Sequence, residues 1–415
     1  MAADLSVPDR GASTDVEALP RFSTYRKVSR NMKRLALPIL LLVVSSVPAQ
    51  EPPKTAAKPL PRPTLQYDSG EIRIPLPNAD DPKVQEFGPE SIRAATKYLD
   101  DGAVAWMRER PCLSCHTPGA YMLDRPALTP WLGKPEEEIL GRFVAAIQDE
   151  LPATKEVNGI TYYALAERAV WRAAGLVQWD RHVTGTLSDH TDRALRSMLR
   201  QQSSHGGWYM PGQVEIPHVT TDFELTLHAA RAIVEAPGWL ATLKDAELLG
   251  RIGRMKTFLA ETKPRNDYER ALRIGLASFL PELVPGETRE SDIAMLWAKQ
   301  HDDGGWCTRD MSDTRNWRTP MSDFVIKLIE GLPDAADPQS DPYMTAQAIV
   351  LLRESGVPAS DPRIQKGIAW LKAEQRVGGR WWMHSLYRGN YNFITYIATA
   401  KAMKALGMCG ELDQK

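Results

Sequence analysis

The most distinctive chemical feature of this chain is a pentapeptide, Cys112-Leu113-Ser114-Cys115-His116, which contains two of its four cysteines. Two thiols at this spacing can add to both vinyl groups of a haem, while the imidazole that follows reaches the iron. The pattern therefore predicts one covalently attached haem c. Cys112 and Cys115 would form its thioether bonds, and His116 would be an axial iron ligand.

Two other interpretations of the cysteine pair remain open. A CxxC pair can be a redox-active dithiol, or it can supply two thiolates to a zinc site. A redox dithiol normally lies near a βαβ pattern, which this sequence lacks. Zinc would need further ligands at recognisable spacing, and the remaining cysteines, Cys307 and Cys409, stand alone. The haem interpretation is therefore favoured.

An export signal precedes the pentapeptide. Basic residues at 32–34 are followed by an apolar run over 35–44 and by small residues at 47–49. This order predicts a signal peptide over 32–49, with Gln50 as the first mature residue. The apolar run is shorter than the ~20 residues that a transmembrane helix needs, and an uncleaved anchor is the alternative. The expected location is extracytoplasmic, either periplasmic or secreted, where haem c is attached.

The rest of the chain divides by composition. Residues 1–31 fit neither a signal nor a fold and are interpreted as an untranslated or disordered extension. Residues 50–87 are rich in proline near their start, which indicates an extended linker. From 88 to 415 apolar residues recur three and four positions apart, and no alternating run indicates a strand, so an all-α fold is expected.

Two repeats alternate within the helical region. The first is a glutamine followed by a glycine pair and a tryptophan, in copies that end at Trp208, Trp306 and Trp381, with a weaker copy at Trp106. Each copy is expected to close a helix, with a glycine in the left-handed conformation and the tryptophan against the helix end.

The second repeat has threonine and alanine three residues apart, which places small residues on one helical face. Its copies begin at Thr161, Thr226, Thr345 and Thr395, with a degenerate copy near 268–277. These segments are expected to be the more buried helices. Together the two repeats indicate about six helical hairpins with a period of ~50 residues, which is typical of arrays that stack supersecondary units. An α/α toroid of inner and outer helices is predicted, and an open α-solenoid is the alternative.

The glutamine-Gly-Gly-Trp copies resemble the repeats of squalene-hopene cyclases and of protein prenyltransferase β-subunits, over roughly residues 88–408. Combined with the pentapeptide, they also resemble a group of bacterial exported proteins. The resemblance implies an α/α toroid. It does not carry over either activity, because the acidic DxDD motif of the cyclases is missing and Asp341, at a position comparable to a prenyltransferase zinc ligand, is followed by Pro342 without a nearby cysteine. Catalytic residues therefore remain unknown.

A second axial ligand for the iron would have to come from a loop near the pentapeptide. The loops after the tryptophan turns supply the candidates Met210, His218, Met311, Met321, Met383 and His384. If the hairpins close into a ring, the last lies beside the first, which favours Met383 or His384. Methionine also fills gaps in cores, and histidine also serves as an ordinary polar group, so each candidate has a purely structural explanation.

Together these features predict an extracytoplasmic mono-haem c-type protein that transfers electrons. One alternative is a haem enzyme or sensor that binds a small molecule in the toroid cavity. Another is a toroid without haem that binds an isoprenoid or polysaccharide, with the pentapeptide as a structural metal site. The formal net charge of −1 gives no reason to expect nucleic acid as a partner. A redox partner protein is expected, and no membrane span is expected after signal cleavage.

Overall fold

A computed structural model describes residues 64–110, 113, 117–157, 159–209, 221–313, 327, 329–384 and 393–413. All of these belong to the second of two compact units, which begins at Pro61. The predicted extension at 1–31, the signal peptide at 32–49 and the site at Gln50 lie outside the described residues.

The described chain is mostly helical, which confirms the all-α prediction. Its α-helices are α1 Pro89–Glu109, α2 Pro118–Asp124, α3 Thr129–Leu132, α4 Glu137–Ala145, α5 Ala166–Trp179, α6 Asp189–Arg200, α7 Asp222–Glu235, α8 Trp239–Thr242, α9 Ala246–Glu261, α10 Asp267–Phe279, α11 Gly286–Ala298, α12 Pro333–Ala336, α13 Pro342–Glu354, α14 Pro362–Glu374 and α15 Phe393–Met408. Short 3₁₀ segments cover Pro126–Leu128, Pro281–Leu283 and Arg309–Met311, and a π-helical turn covers Asp180–Thr184. The degenerate repeat copy near 268–277 lies within α10.

Two short antiparallel hairpins were not expected from the sequence. They are formed by β1 Leu65–Ser69 with β2 Ile72–Pro75, and by β3 Thr154–Val157 with β4 Ile160–Tyr163. The first corrects the linker prediction over 50–87: from residue 64 onward the chain folds against α1 and buries Tyr67 to 4% exposure. Strands of four or five residues are too short for their alternation to stand out.

Six helices contact one another in a cycle. α2 contacts α5, α5 contacts α7, α7 contacts α10, α10 contacts α13, α13 contacts α15, and α15 contacts α2. The other long helices, α1, α4, α6, α9, α11 and α14, each contact a member of this cycle. The buried apolar side chains form one continuous cluster across these helices.

The three strong Gly-Gly-Trp copies have the same local geometry, as predicted. Their glycines Gly206, Gly304 and Gly379 have φ of +96°, +95° and +82°. Each tryptophan is fully buried, and its indole N–H donates to a carbonyl ten residues earlier: Trp208 to Met198, Trp306 to Leu296 and Trp381 to Leu371, at 2.9, 2.8 and 2.7 Å. The turn is thus tied to the last part of the helix that it closes.

The glutamine of each copy joins its own turn to another helix. The side-chain amide donates to the glycine carbonyl of its own turn and to one further carbonyl: Gln202 to Arg251 of α9, Gln300 to Arg363 of α14, and Gln375 to Ser91 of α1. The third copy therefore attaches the end of α14 to the first helix of the fold.

Two repeat assignments were wrong. Thr161 lies in strand β4, and the helix begins later, at Ala166. The weak copy ending at Trp106 lies within α1 and closes no helix. The threonines of the other copies accept a hydrogen bond from the backbone N–H of a repeat tryptophan: Thr226 from Trp208, Thr345 from Trp306, and Thr399 from Trp381. In the last copy Thr399 accepts this bond, and Thr395 lies buried in α15, as predicted.

Candidate functional site

The predicted haem residues Cys112, Cys115 and His116 lie outside the described residues, but both flanks of the pentapeptide are described. Before it, α1 ends at Glu109. After it, Thr117 precedes α2 with φ of +39°, a conformation that residues other than glycine rarely adopt. The Thr117 Oγ1 atom lies 3.2 Å from the hydroxyl oxygen of Tyr67 in β1. The strand that the sequence did not predict therefore holds the segment directly after the pentapeptide.

Tyr67 belongs to an aromatic cluster with Tyr98, Trp106 and Tyr396. Its ring centroid lies 6.4 Å from Tyr98, 6.5 Å from Trp106 and 5.9 Å from Tyr396. The Tyr396 hydroxyl donates to the carbonyl of Leu99 at 2.6 Å. Burial raises the pKa of Tyr67 well above its usual value, so the phenol is neutral. The cluster packs β1, α1 and α15 together beside Thr117.

Met383 and His384, the favoured second axial ligands, line a groove of about 370 Å³ with Cys307, Asp341 and Trp370. Met383 is 5% exposed, and its backbone N–H donates to Thr395 Oγ1 at 3.2 Å. The His384 side chain is 36% exposed, and its Nδ1 lies 4.0 Å from Asp334 Oδ1. Thr395, the threonine of the last repeat copy, thus positions the backbone of Met383.

The groove and Thr117, the residue directly after the pentapeptide, lie at the same end of two neighbouring helices. Thr117 precedes α2, Tyr396 lies in the first turn of α15, and Tyr67 contacts both. At the other end, Asp124 of α2 accepts a hydrogen bond from Lys404 of α15 at 3.0 Å. The two helices therefore run in the same direction, and Thr395 shares its end with Thr117.

The remaining ligand candidates divide into two groups. Met210, His218 and Met321 lie outside the described residues. Met311 is fully buried in the core. Arg380, in the last repeat turn, donates to Asp81 Oδ2 at 3.0 Å and to the carbonyl of Pro75, and these bonds attach the turn to the end of β2 and the segment after it.

The other two cysteines are free thiols. Burial raises the pKa of Cys307 well above its usual value and that of Cys409 to about 11. In the described ranges no three His, Cys, Asp or Glu side chains are grouped to hold a metal ion. Thr221 and Asp341 are N-caps: the Thr221 side chain accepts from the N–H of Glu224, and the Asp341 side chain accepts from that of Met344.

A second cavity, of about 360 Å³, lies among the six helices of the cycle. None of its lining residues was predicted from the sequence as a site. Lys401 and Lys404 of α15 both lie 3.0 Å from the carboxylate of Asp124. Burial opposes the ionisation of Asp124, but the two lysines outweigh it and lower its pKa to about 2. Two lysines three residues apart in an otherwise apolar helix were the sequence signal for this site.

Across the cavity, Arg231 of α7 forms a bidentate ion pair with Glu354 of α13, with contacts of 2.9 and 2.6 Å. It also donates to Glu235 at 3.3 Å. The ring of His228 lies 5.0 Å from that of Trp171, and burial, with Lys401 and Arg231, lowers the pKa of His228 to about 3. His228 is therefore neutral at ordinary pH.

Comparisons with known proteins leave the family open. No protein-family model matches the chain, and no curated protein matches it. Among solved structures, one described as a glycosidase aligns with a TM-score of 0.40 and 11% identity, covering 78% of this chain and 87% of that chain. In the part of the chain that the structure describes, no helix is long and apolar enough to cross a membrane.

Proposed function

We propose that this chain is an extracytoplasmic mono-haem c-type protein that transfers electrons. The observation that carries the proposal is the pentapeptide Cys112 to His116, whose two thiols and imidazole match the donor set for covalent haem attachment. The predicted export signal at 32–49 leads to the compartment in which such attachment occurs. The redox partner would be another protein.

The scaffold that we propose for this haem is an α/α toroid related to squalene-hopene cyclases and prenyltransferase β-subunits. Support comes from the cycle of six contacting helices and from the bond between Gln375 and Ser91, which joins the last repeat turn to the first helix. An open solenoid would leave its terminal repeats without such a contact.

Different residues of the chain would bind different parts of the haem. Cys112 and Cys115 would fix the haem covalently, and His116 would ligate the iron. Bound haem supplies a one-electron redox centre, whose potential depends on the axial ligands. Met383 or His384 would supply the second axial ligand, since Thr395 places their segment at the end of α15 that neighbours Thr117. Tyr67 would orient the pentapeptide through Thr117.

The decisive experiment is a pyridine haemochrome spectrum and a haem stain after denaturing electrophoresis, on protein exported in a host with a c-type maturation system. We expect one haem per chain in the native protein and none bound covalently in the Cys112→Ala/Cys115→Ala variant. The Cys307→Ala/Cys409→Ala variant is the matched control and should keep its haem. A double pentapeptide variant that still stains for haem would refute the attachment.

The two alternatives give different results in the same preparation. Carbon monoxide binding to the reduced protein would indicate an open iron position and hence a haem enzyme or sensor. Zinc without iron in the metal analysis would indicate a structural metal site. A six-coordinate iron that does not respond to ligands supports electron transfer.

A further inference from the structure

Among the described side chains that line the central cavity, Trp171 has a buried indole Nε1 without a hydrogen-bond partner, and His228 and Gln347 line the same cavity. Trp171 is 5% exposed and Gln347 is 8% exposed, so both are more than nine-tenths buried. Buried polar groups are nearly always hydrogen-bonded, and a group left without a partner costs roughly 1–3 kcal/mol. The unpaired indole N–H of Trp171, with the side chains of His228 and Gln347 lining the same cavity, therefore points to a molecule there that accepts its hydrogen bond.

A molecule in the cavity would meet both hydrogen-bond donors and acceptors. The indole N–H of Trp171 only donates, whereas the amide of Gln347 both donates and accepts. The neutral imidazole of His228 likewise offers one donor and one acceptor. A ligand whose groups can each donate and accept, such as a hydroxyl, satisfies all three residues.

The charged side chains around the cavity are balanced and largely paired. Its described lining contains four carboxylates, Asp124, Glu224, Glu235 and Glu354, and four cationic side chains, Arg181, Arg231, Lys401 and Lys404. The cationic groups all lie within 4 Å of a carboxylate: both lysines pair with Asp124, Arg231 pairs with Glu354, and Arg181 lies 3.5 Å from Glu235. The balance leaves no excess charge to attract an ion.

We propose that the central cavity binds a neutral polyhydroxylated ligand of the carbohydrate class, with Trp171, His228 and Gln347 among its direct hydrogen-bonding partners. The volume of about 360 Å³ is near the lower end for small-molecule sites, which run from ~300 to ~1,000 Å³. It limits the ligand to a small saccharide. This site is independent of the proposed haem, which requires none of these residues.

The aromatic side chains of the cavity fit the same ligand class. Trp131, Trp171 and Tyr343 line it from α3, α5 and α13, and large rings of this kind supply apolar contact area at little cost in conformational entropy. The ion pairs beside them retain lone pairs and N–H groups that can bond to further hydroxyls. A combination of apolar rings and convergent polar groups is typical of small-ligand sites.

Two other ligand classes fit less well. An isoprenoid would displace water from eight charged side chains without replacing its hydrogen bonds, which is unfavourable in a buried site. An anion would have to compete with Asp124 for the lysines and with Glu354 for Arg231, breaking pairs that are already formed. A neutral ligand with hydroxyl groups requires neither change.

The test is isothermal titration calorimetry of the mature haem-loaded protein with glucose, cellobiose and maltose, and with succinate and geraniol as anionic and isoprenoid probes. We expect at least one saccharide to bind, and we expect Trp171→Phe and Gln347→Leu each to weaken that binding about tenfold, since the first removes the indole N–H and keeps an aromatic ring, and the second removes the amide and keeps a side chain of similar size. The matched control Trp297→Phe changes a half-buried tryptophan that does not line the cavity and should leave the affinity unchanged.

Every other outcome overturns the proposal. Binding of succinate or geraniol without any saccharide would assign the cavity to another ligand class. Binding of no probe would mean that water alone fills the cavity, and saccharide binding that survives both cavity variants would place the ligand elsewhere. The Cys112→Ala/Cys115→Ala variant should bind saccharide like the native protein, so failure of the haem proposal and failure of this one are distinguishable.

Discussion

The side-chain amide of Gln375 donates a hydrogen bond of 2.9 Å to the backbone carbonyl of Ser91, across 284 positions of sequence. The same turn brings Gly379 against the backbone of α1, where a Cβ atom would lie 2.3 Å from the carbonyl of Ala94. Equivalent contacts join Gly206 to Arg254 and Gly304 to Lys366. The last repeat turn thus packs on the first helix in the same way as the two earlier turns pack on helices that follow them in the chain.

The glycine at this contact gives a prediction about stability. Gly379→Ala would require a positive φ of 82° for alanine and would place its Cβ inside the backbone of α1. We expect the free energy of unfolding to fall by at least ~1–3 kcal/mol, measured by urea denaturation with circular dichroism. The neighbouring Gly378→Ala is the control, because its Cβ would meet nothing closer than 3.5 Å and should cost less than ~0.5 kcal/mol. Equal effects of the two substitutions would contradict the close approach to Ala94.

Asp124 gives a prediction about pH. Its folded-state pKa of about 2 lies below the ordinary 3.8, so ionised Asp124 stabilises the folded state above about pH 4, and this contribution is lost as the pH falls toward 2. The shift corresponds to roughly 2 kcal/mol. Asp124→Asn should therefore flatten the dependence of unfolding free energy on pH between 4 and 2, in urea titrations at each pH.

The same substitution has a second expected effect. At pH 7 the variant should be less stable by about 3–5 kcal/mol, because Lys401 and Lys404 lose the carboxylate that pairs with both of them in a buried site. The exposed Asp337→Asn serves as the control and should leave both the slope and the stability at pH 7 unchanged. A native slope in the Asp124 variant would mean that other groups govern the acid response.

The axial ligand can be identified by substituting its two candidates separately. Met383→Leu keeps the buried packing and removes the thioether, whereas His384→Ala removes the imidazole. If methionine ligates the iron, its loss should change the absorption spectrum and lower the potential, because thioether ligation raises haem potentials. Loss of a second histidine ligand should change the spectrum without a comparable drop.

Met311→Leu is the matched control for these variants, since Met311 is buried in the core. It should keep the native spectrum. Native spectra in both candidate variants would exclude Met383 and His384, and substitution of Met210 and His218 would then locate the ligand or show the position to be open. An open position would favour a haem enzyme or sensor.

The predicted signal peptide gives a prediction about the mature N-terminus. Intact-mass measurement of the exported protein should give a chain that begins at Gln50. Ala49→Arg places a large charged residue where the cleavage site needs a small one, so this variant should retain residues from Met32 onward. A native protein that keeps Met32 after export would indicate an uncleaved anchor.

The sequence by itself determined the features that depend on a few consecutive residues. The pentapeptide gives a donor set at 112–116, the pattern at 32–49 predicts an export signal, and each of the three strong glutamine-Gly-Gly-Trp copies specifies a turn. These turns could be predicted because a left-handed glycine and a tryptophan bonded ten residues back are properties of one helix and the loop that follows it.

The tertiary structure decided which segments meet. Periodicity shows that a helix face is buried but does not name its partner, so the bond from Gln375 to α1 and the choice of Thr399 over Thr395 required the packed fold. Arg380 pairs with Asp81 because β1 and β2 bring that segment beside the last turn, and the strands themselves were too short to predict. The cavity between Asp124 and Lys404, 280 positions apart, exists only once the first and last helices of the cycle pack together.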